Sequence, residues 1–314
     1  MSHLEAAATA PTDPRGSSVG DVVRAYVAVT KPRIVELLLV TTLPAMIVAE
    51  RGLPPAGLIL ATLLGGTLGA GSANAFNSII ERDSDALMQR TSRRPLPNHA
   101  ISTRAAVLFA SILAVVSFVV TTLWVNLLTA ALILAANAFY VLVYTAYLKP
   151  RTVQNIVIGG AAGCVPVLAG WSAVTGELSL TAWLMFAVVF LWTPPHFWAL
   201  AIRYREDYAA ASIPMLPVVA GTLETTRQII GYTVLMVVFT LALGLVAEAG
   251  VVYLVVALLL GARFVQLALR LHRAGLATDD PGDSALHAEA MATFRYSIGY
   301  LGLVLFALAA GVVF

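Results

Sequence analysis

Nine apolar runs joined by short polar stretches leave this chain one way to fold. They occupy 34–50, 55–80, 104–124, 127–147, 153–173, 181–202, 227–247, 250–272 and 293–313. A helix needs about 20 mostly apolar residues to cross the hydrocarbon layer of a bilayer. Backbone N–H and C=O groups find no partners in lipid, so each run must satisfy them internally, as a helix. Only 11% of the residues are charged and 59% are hydrophobic, whereas soluble domains carry about a quarter charged residues. The sequence therefore predicts an all-α integral membrane protein. Roughly nine transmembrane helices surround a central cavity that opens to the cytoplasmic side.

The basic residues set the expected orientation. With the N-terminus inside, the inner segments hold Arg15, Arg24, Lys31 and Arg33, then Arg82, Arg90, Arg93, Arg94 and Arg104. Later inner loops hold Lys149, Arg151, Arg203, Arg205, Arg227, Arg270, Arg273 and Arg295, and only Arg51 falls in an outer loop. The inner loops are also the longer ones, which places function on that side. The single cysteine, Cys164, excludes an intrachain disulfide and a Cys-rich metal site. Residues 1–20 read as a disordered Ala/Pro/Ser-rich tail without the apolar core of a signal peptide, and 21–314 as one membrane domain. A bacterial-type plasma membrane is the expected location. Gly65, Gly69, Gly159, Gly160 and Gly163 recur at helix spacing and read as close-packing positions. Asp279-Asp-Pro-Gly-Asp283 reads as a solvated turn.

The second run ends abruptly in Asn74-Ala-Phe-Asn77-Ser-Ile-Ile-Glu81-Arg-Asp-Ser-Asp85. At about 100° per residue, Asn74, Asn77, Glu81 and Asp85 share one helical face and Asp83 lies opposite. An amide and two carboxylates spaced one turn apart offer hard oxygen ligands, the kind Mg²⁺ takes together with substrate phosphates. Arg90, Arg93 and Arg94 follow, where they can clamp phosphate oxygens or serve only the inside-positive bias. An ordinary polar helix end at the headgroups would look similar for any one acid.

Two further stretches carry polar groups toward the same side. Thr193-Pro-Pro-His196 through Arg203, Asp207 and Tyr208 places His196, Arg203 and Asp207 on one stripe if the helix continues, with Pro194 and Pro195 positioned to kink it. His196 is open to metal ligation, proton transfer or a plain structural role. Tyr144, Tyr147, Lys149 and Arg151 sit where two helices meet at an inner loop, and Tyr and Lys there are also normal interfacial residues. Lys31-Pro32-Arg33 and Glu36 open the first helix and read as structural. The stretches 77–94 and 196–207 form a weak internal echo, two halves facing one cavity.

These residues resemble the UbiA-type intramembrane prenyltransferase superfamily, and within it the branch that farnesylates haem. The first acidic motif reads Asn77-x-x-x-Glu81-x-x-x-Asp85. The branch markers are Thr30-Lys-Pro-Arg33, Met88-x-Arg90-Thr-x-x-Arg94-Pro-Leu-Pro97 and Tyr144-Thr-x-x-Leu-Lys149-x-Arg151-Thr-x-x-Asn155. Others are Thr193-Pro-Pro-His196-Phe-Trp-Ala-Leu and Tyr204-x-x-Asp207-Tyr208, leading to Pro214-Met-Leu-Pro217. Two positions depart from the superfamily pattern. Glu81 stands for the usual Asp, and Arg203 stands where the second motif's first acid would be.

The resemblance implies transfer of farnesyl from farnesyl diphosphate to the 2-vinyl group of haem b, with water added, giving haem O and diphosphate. It implies Mg²⁺ held by Asn77, Glu81, Asp85 and Asp207, with Asn74 and Tyr144 in support. It further implies diphosphate on Arg90, Arg94, Lys149 and Arg151, and haem near His196 and Arg203. A downstream haem A synthase or terminal-oxidase assembly is the implied partner, and nucleic acid is not. A prenyltransferase for a quinone precursor or another aromatic acceptor, and a small-molecule transporter with polar groups near mid-membrane, are the alternatives.

Overall fold

Lipid-facing helices must bury only their contacts with one another, and the large apolar side chains left on the outside show which faces those are. Leu108, Leu123, Val251, Val252 and Leu259 all project outward. The structure, a computed structural model, describes residues 18–314, except the side chains of Arg33, Ile34, Glu36 and residues 37–39. The first part of the expected tail therefore lies outside the described residues. Helix α1 (Val19–Val29) already begins within 1–20, where Ser18 and Asp21 form a reciprocal capping box.

The elements that follow are α2 (Pro32–Glu50), α3 (Ala56–Ile80), the short α4 (Arg82–Leu87), α5 (Thr103–Trp124) and α6 (Leu127–Ala138). Helix α6 runs on as a π-helical segment, Phe139–Leu148. Then come α7 (Asn155–Gly159), α8 (Ala161–Thr175), α9 (Leu180–Arg203), α10 (Arg205–Ala210), α11 (Leu216–Val219), α12 (Gly221–Val246), α13 (Gly250–Ala277) and α14 (Ser284–Val313). Among the described residues, eight helical stretches are long and apolar enough to cross a membrane. The first expected span, 34–50, falls in α2, whose described apolar part is Val40–Glu50. The chain is thus an all-helical, multi-pass membrane protein.

Successive long helices pack side by side from α2 to α14, and α14 returns to α2, so the bundle closes into a ring. Helices α2 and α8, and likewise α9 and α14, also pack against each other inside it. Small residues permit these approaches. A Cβ on Gly65 would lie 2.1 Å from Thr121 Oγ1 of α5, and one on Gly170 would lie 2.5 Å from the Thr42 carbonyl of α2. Larger side chains there would force the helices apart. Two breaks matter for the site. Helix α3 stops at Glu81 and α9 at Tyr204, so Asp85 and Asp207 each lie on a new short helix. Helix α9 runs through Pro194 and Pro195 without interruption.

Candidate active site

At the end of α3 the backbone breaks but the ladder does not. The Glu81 N–H donates to the Asn77 carbonyl (2.9 Å) and the Asp85 N–H to the Glu81 carbonyl (2.7 Å). The register 77–81–85 is therefore kept across the joint. Asn74, Asn77, Glu81 and Asp85 are all buried. Asp83 points away, with its side chain 86% exposed and beside Arg82.

Each buried acid meets a cation delivered from another part of the chain. Lys149 Nζ lies 2.5 Å from Glu81 Oε1, and Arg94 Nη1 donates to both Asp85 oxygens at 2.9 and 2.7 Å. Lys31 Nζ donates to Asn77 Oδ1, and Asn77 Nδ2 donates to Thr145 Oγ1 at 3.0 Å. Asn74 Nδ2 donates to the Thr30 carbonyl at 2.9 Å, tying α3 to the start of α2. Lys31 reaches inward because its backbone takes the left-handed conformation (φ 52°) just before Pro32. Burial pushes its ammonium down to about 7, against the opposing pull of Glu81. Burial also opposes charge on Glu81, yet Lys149 and Lys31 together hold its carboxyl below the usual range. Lys149 is held charged, the attraction of Glu81 outweighing its burial.

Lys149 arrives by way of the π segment, where its N–H donates to the Tyr144 carbonyl five residues back (2.8 Å). Such wide turns are rare and concentrate at functional sites. This one brings Tyr140 and Tyr144 together, their rings tilted by 33° with centroids 5.3 Å apart. Both rings line an apolar cavity of about 250 Å³ that begins at Asn74, beside the acids. Its walls come from α2, α3, α6, α8 and α9 and include Gly66, Gly69, Gly159, Gly160 and Gly163. Four of these glycines, Gly69, Gly159, Gly160 and Gly163, are among those read as packing positions. Their missing side chains also make the space: a Cβ on Gly159 would fall 2.1 Å from the Tyr144 ring.

The second stretch is organised differently. His196 is buried, stacked between Trp192 (4.2 Å) and Phe294 (4.6 Å), with Nδ1 2.7 Å from Ser297 Oγ. It does not line the cavity, whereas its neighbours Trp192, Thr193 and Phe197 do. The break at Tyr204 puts Asp207 on α10, so the stripe with His196 and Arg203 is not one continuous helix. Asp207 is half-buried and forms no ion pair among the described residues. Arg90 and Arg203 both lie over the Tyr204 ring, at 5.4 and 5.6 Å from its centroid. Arg151 turns back to the Ala146 and Tyr147 carbonyls (2.8 and 3.1 Å) and over the Tyr147 ring, away from the acids. Asp279 is no free turn residue. Its Oδ1 accepts from the Thr222 N–H (3.0 Å) at the start of α12 and pairs with Arg205 (2.8 Å).

In the sequence Lys31 reads as structural, Gly69, Gly159, Gly160 and Gly163 read as packing positions, and Thr145 is given no role. The lysine's signal is its place in the marker Thr30-Lys-Pro-Arg33, just before Pro32. The donor set suits a hard divalent ion. Among the described residues there is no cluster of three His, Cys, Asp or Glu, but Mg²⁺ is commonly bound by one or two carboxylates and completed by phosphate. Asn77, Glu81 and Asp85 fit that pattern.

Residues 38–281 match the UbiA prenyltransferase family. The fold agrees. A digeranylgeranylglyceryl phosphate synthase structure superposes with a TM-score of 0.74 at 16% identity, covering 93% of this chain and 99% of that one. A UbiA homologue from Archaeoglobus fulgidus bound to DMAPP and Mg²⁺ superposes at 0.62 with 17% identity, covering 90% and 99%. The chain belongs to the UbiA prenyltransferase family. Within that family it is similar to the protoheme IX farnesyltransferase of a Nocardioides species, 52% identical over 293 residues, which are 93% of this chain and 92% of that protein. It is likewise similar to the protein of that name from Frankia alni, 53% identical over 91% of this chain and 97% of the relative.

Proposed function

We propose that the chain transfers the farnesyl group of farnesyl diphosphate to the 2-vinyl group of protohaem, giving haem O and diphosphate. One observation carries the reading: a mouth of buried, paired charges opens at Asn74, Tyr140 and Tyr144 directly into an apolar cavity. A diphosphate with a hydrocarbon tail needs that juxtaposition.

The allylic C–O bond of farnesyl diphosphate breaks and its electron pair leaves with the diphosphate. The vinyl π pair forms the new C–C bond, water adds to the carbon beside the ring, and its proton leaves with diphosphate. Lys31, Arg94 and Lys149 receive the developing negative charge where the dielectric is low. Mg²⁺, held by Asn77, Glu81 and Asp85 with Asp207 approaching from the opposite half, would supply further charge neutralisation when bound. The cavity walls keep water from the allylic cation until it is captured. His196, fixed between two rings, shapes the acceptor's side of the site. The mouth faces the cytoplasm of a bacterial-type plasma membrane, and a haem A synthase or terminal oxidase would take up the product.

Membranes containing the chain, given protohaem and farnesyl diphosphate, should yield a haem heavier by one farnesyl and one hydroxyl group in the mass spectrum. Prenylation of an aromatic acid, with protohaem unchanged, would replace this reading with the quinone-precursor alternative.

A further inference from the structure

The cations at the mouth fall into two sets. Lys149 and Arg94 are committed to Glu81 and Asp85, and Lys31 to Asn77. Arg90 and Arg203 are committed to no acid among the described residues. They come from different parts of the chain, the loop after α4 and the end of α9, yet both guanidinium groups lie over one ring, Tyr204. Neither forms an ion pair among the described residues, although Glu206 and Asp207 follow within one turn of Arg203. Two like charges gathered around one ring repel each other unless an anion joins them. The ring fixes their approach by cation–π attraction and leaves the hydrogen-bonding edges of both guanidiniums for a planar anion.

Position narrows the choice of anion. Thr193 and Phe197 line the cavity on the same helix that ends in Arg203. At 1.5 Å per residue, they lie about 9 to 15 Å from it along the axis. A flat acceptor with its apolar edge at the cavity and its carboxylates at the opposite edge spans that arrangement. Protohaem has this polarity, with vinyl groups on one side and two propionates on the other.

Building on the reaction proposed above, we propose that Arg90 and Arg203, held by Tyr204, bind the carboxylates of the acceptor. This moves Arg90 from the diphosphate to the acceptor and makes the Tyr204 pair a determinant of acceptor specificity.

The test compares the wild type with Arg90→Ala/Arg203→Ala and Arg90→Lys/Arg203→Lys, using protohaem and its dimethyl ester, which lacks both charges. In the alanine variant KM for protohaem should rise roughly ten-fold or more, as the loss of charge-assisted hydrogen bonds implies. KM for farnesyl diphosphate should stay unchanged. The lysine variant should recover part of the loss. The wild type should handle the ester as poorly as the alanine variant handles protohaem. A rise in KM for farnesyl diphosphate instead, or equal use of ester and free acid by the wild type, would overturn the assignment, the latter leaving the arginines to lipid headgroups. Absorbance titration of protohaem against the ester decides the point separately. If the wild type makes no farnesylated haem, the reaction proposal fails. Arginine-dependent preference for the free acid in the titration would still support the carboxylate site, and no preference would end it.

Discussion

The two acidic stretches that echo each other along the chain are built to opposite electrostatic designs. In the first, Glu81 and Asp85 are buried and each is matched by a cation, Lys149 from a distant segment and Arg94 from nine residues on. In the second, Asp207 is half-buried and unpaired among the described residues, and Arg203 rests on the Tyr204 ring, where Arg90 of the first stretch joins it. His196 is enclosed by Trp192 and Phe294 and makes no ionic contact. The first arrangement holds charge in a low dielectric at a fixed place. The second presents rings and free guanidiniums. On the proposed reaction, the first arrangement suits the phosphate end and the second suits the flat acceptor.

The largest test of this contrast is Asp85→Ala. It removes a proposed metal ligand and strands Arg94, so turnover should fall by about a hundred-fold or more. Stability should fall as for a broken buried pair, about 3–5 kcal/mol. Asp85→Ala/Arg94→Ala should recover thermal stability and no turnover, which separates chemistry from folding. Asp207→Ala comes next. It breaks no ion pair among the described residues, so the melting temperature should hold while turnover drops about ten-fold, as for an outlying partner of a metal site; a loss equal to that of Asp85→Ala would erase the contrast. A smaller effect is expected from Gly159→Ala. The new methyl drives the Tyr144 ring into the cavity, so KM for farnesyl diphosphate should rise while KM for protohaem holds. Asp83→Ala should be nearly silent, within about 0.5 kcal/mol in stability, as for an exposed surface position. Matching losses for Asp83 and Asp85 would refute the helical-face argument.

Much of this was legible in the sequence, and the reasons for the rest are physical. The apolar runs became helices because lipid leaves them no alternative. The face carrying Asn77, Glu81 and Asp85 survives the joint at Glu81 because the ladder continues through it. The joint at Tyr204 could not be read, since Arg203 to Tyr208 suits a continuing helix as well as a new one. The π segment is equally hidden, because Phe139–Leu148 is as apolar and aromatic as an ordinary span. The pairings of Lys149 with Glu81 and of Lys31 with Asn77 join residues far apart in sequence, which no local pattern encodes. Gly66, Gly69 and Gly159 carry the same spacing as packing glycines, and only their neighbours reveal which of them open a cavity.

The most direct measurement is the affinity for an unreactive farnesyl diphosphate analogue, by calorimetry on the detergent-solubilised protein with and without Mg²⁺. In the wild type, Mg²⁺ should tighten binding. In Asp85→Asn that gain should vanish, and in Asp207→Asn most of it should remain. Binding indifferent to Mg²⁺, or a loss in Asp207→Asn as complete as in Asp85→Asn, would contradict the assignment of the diphosphate to the first half.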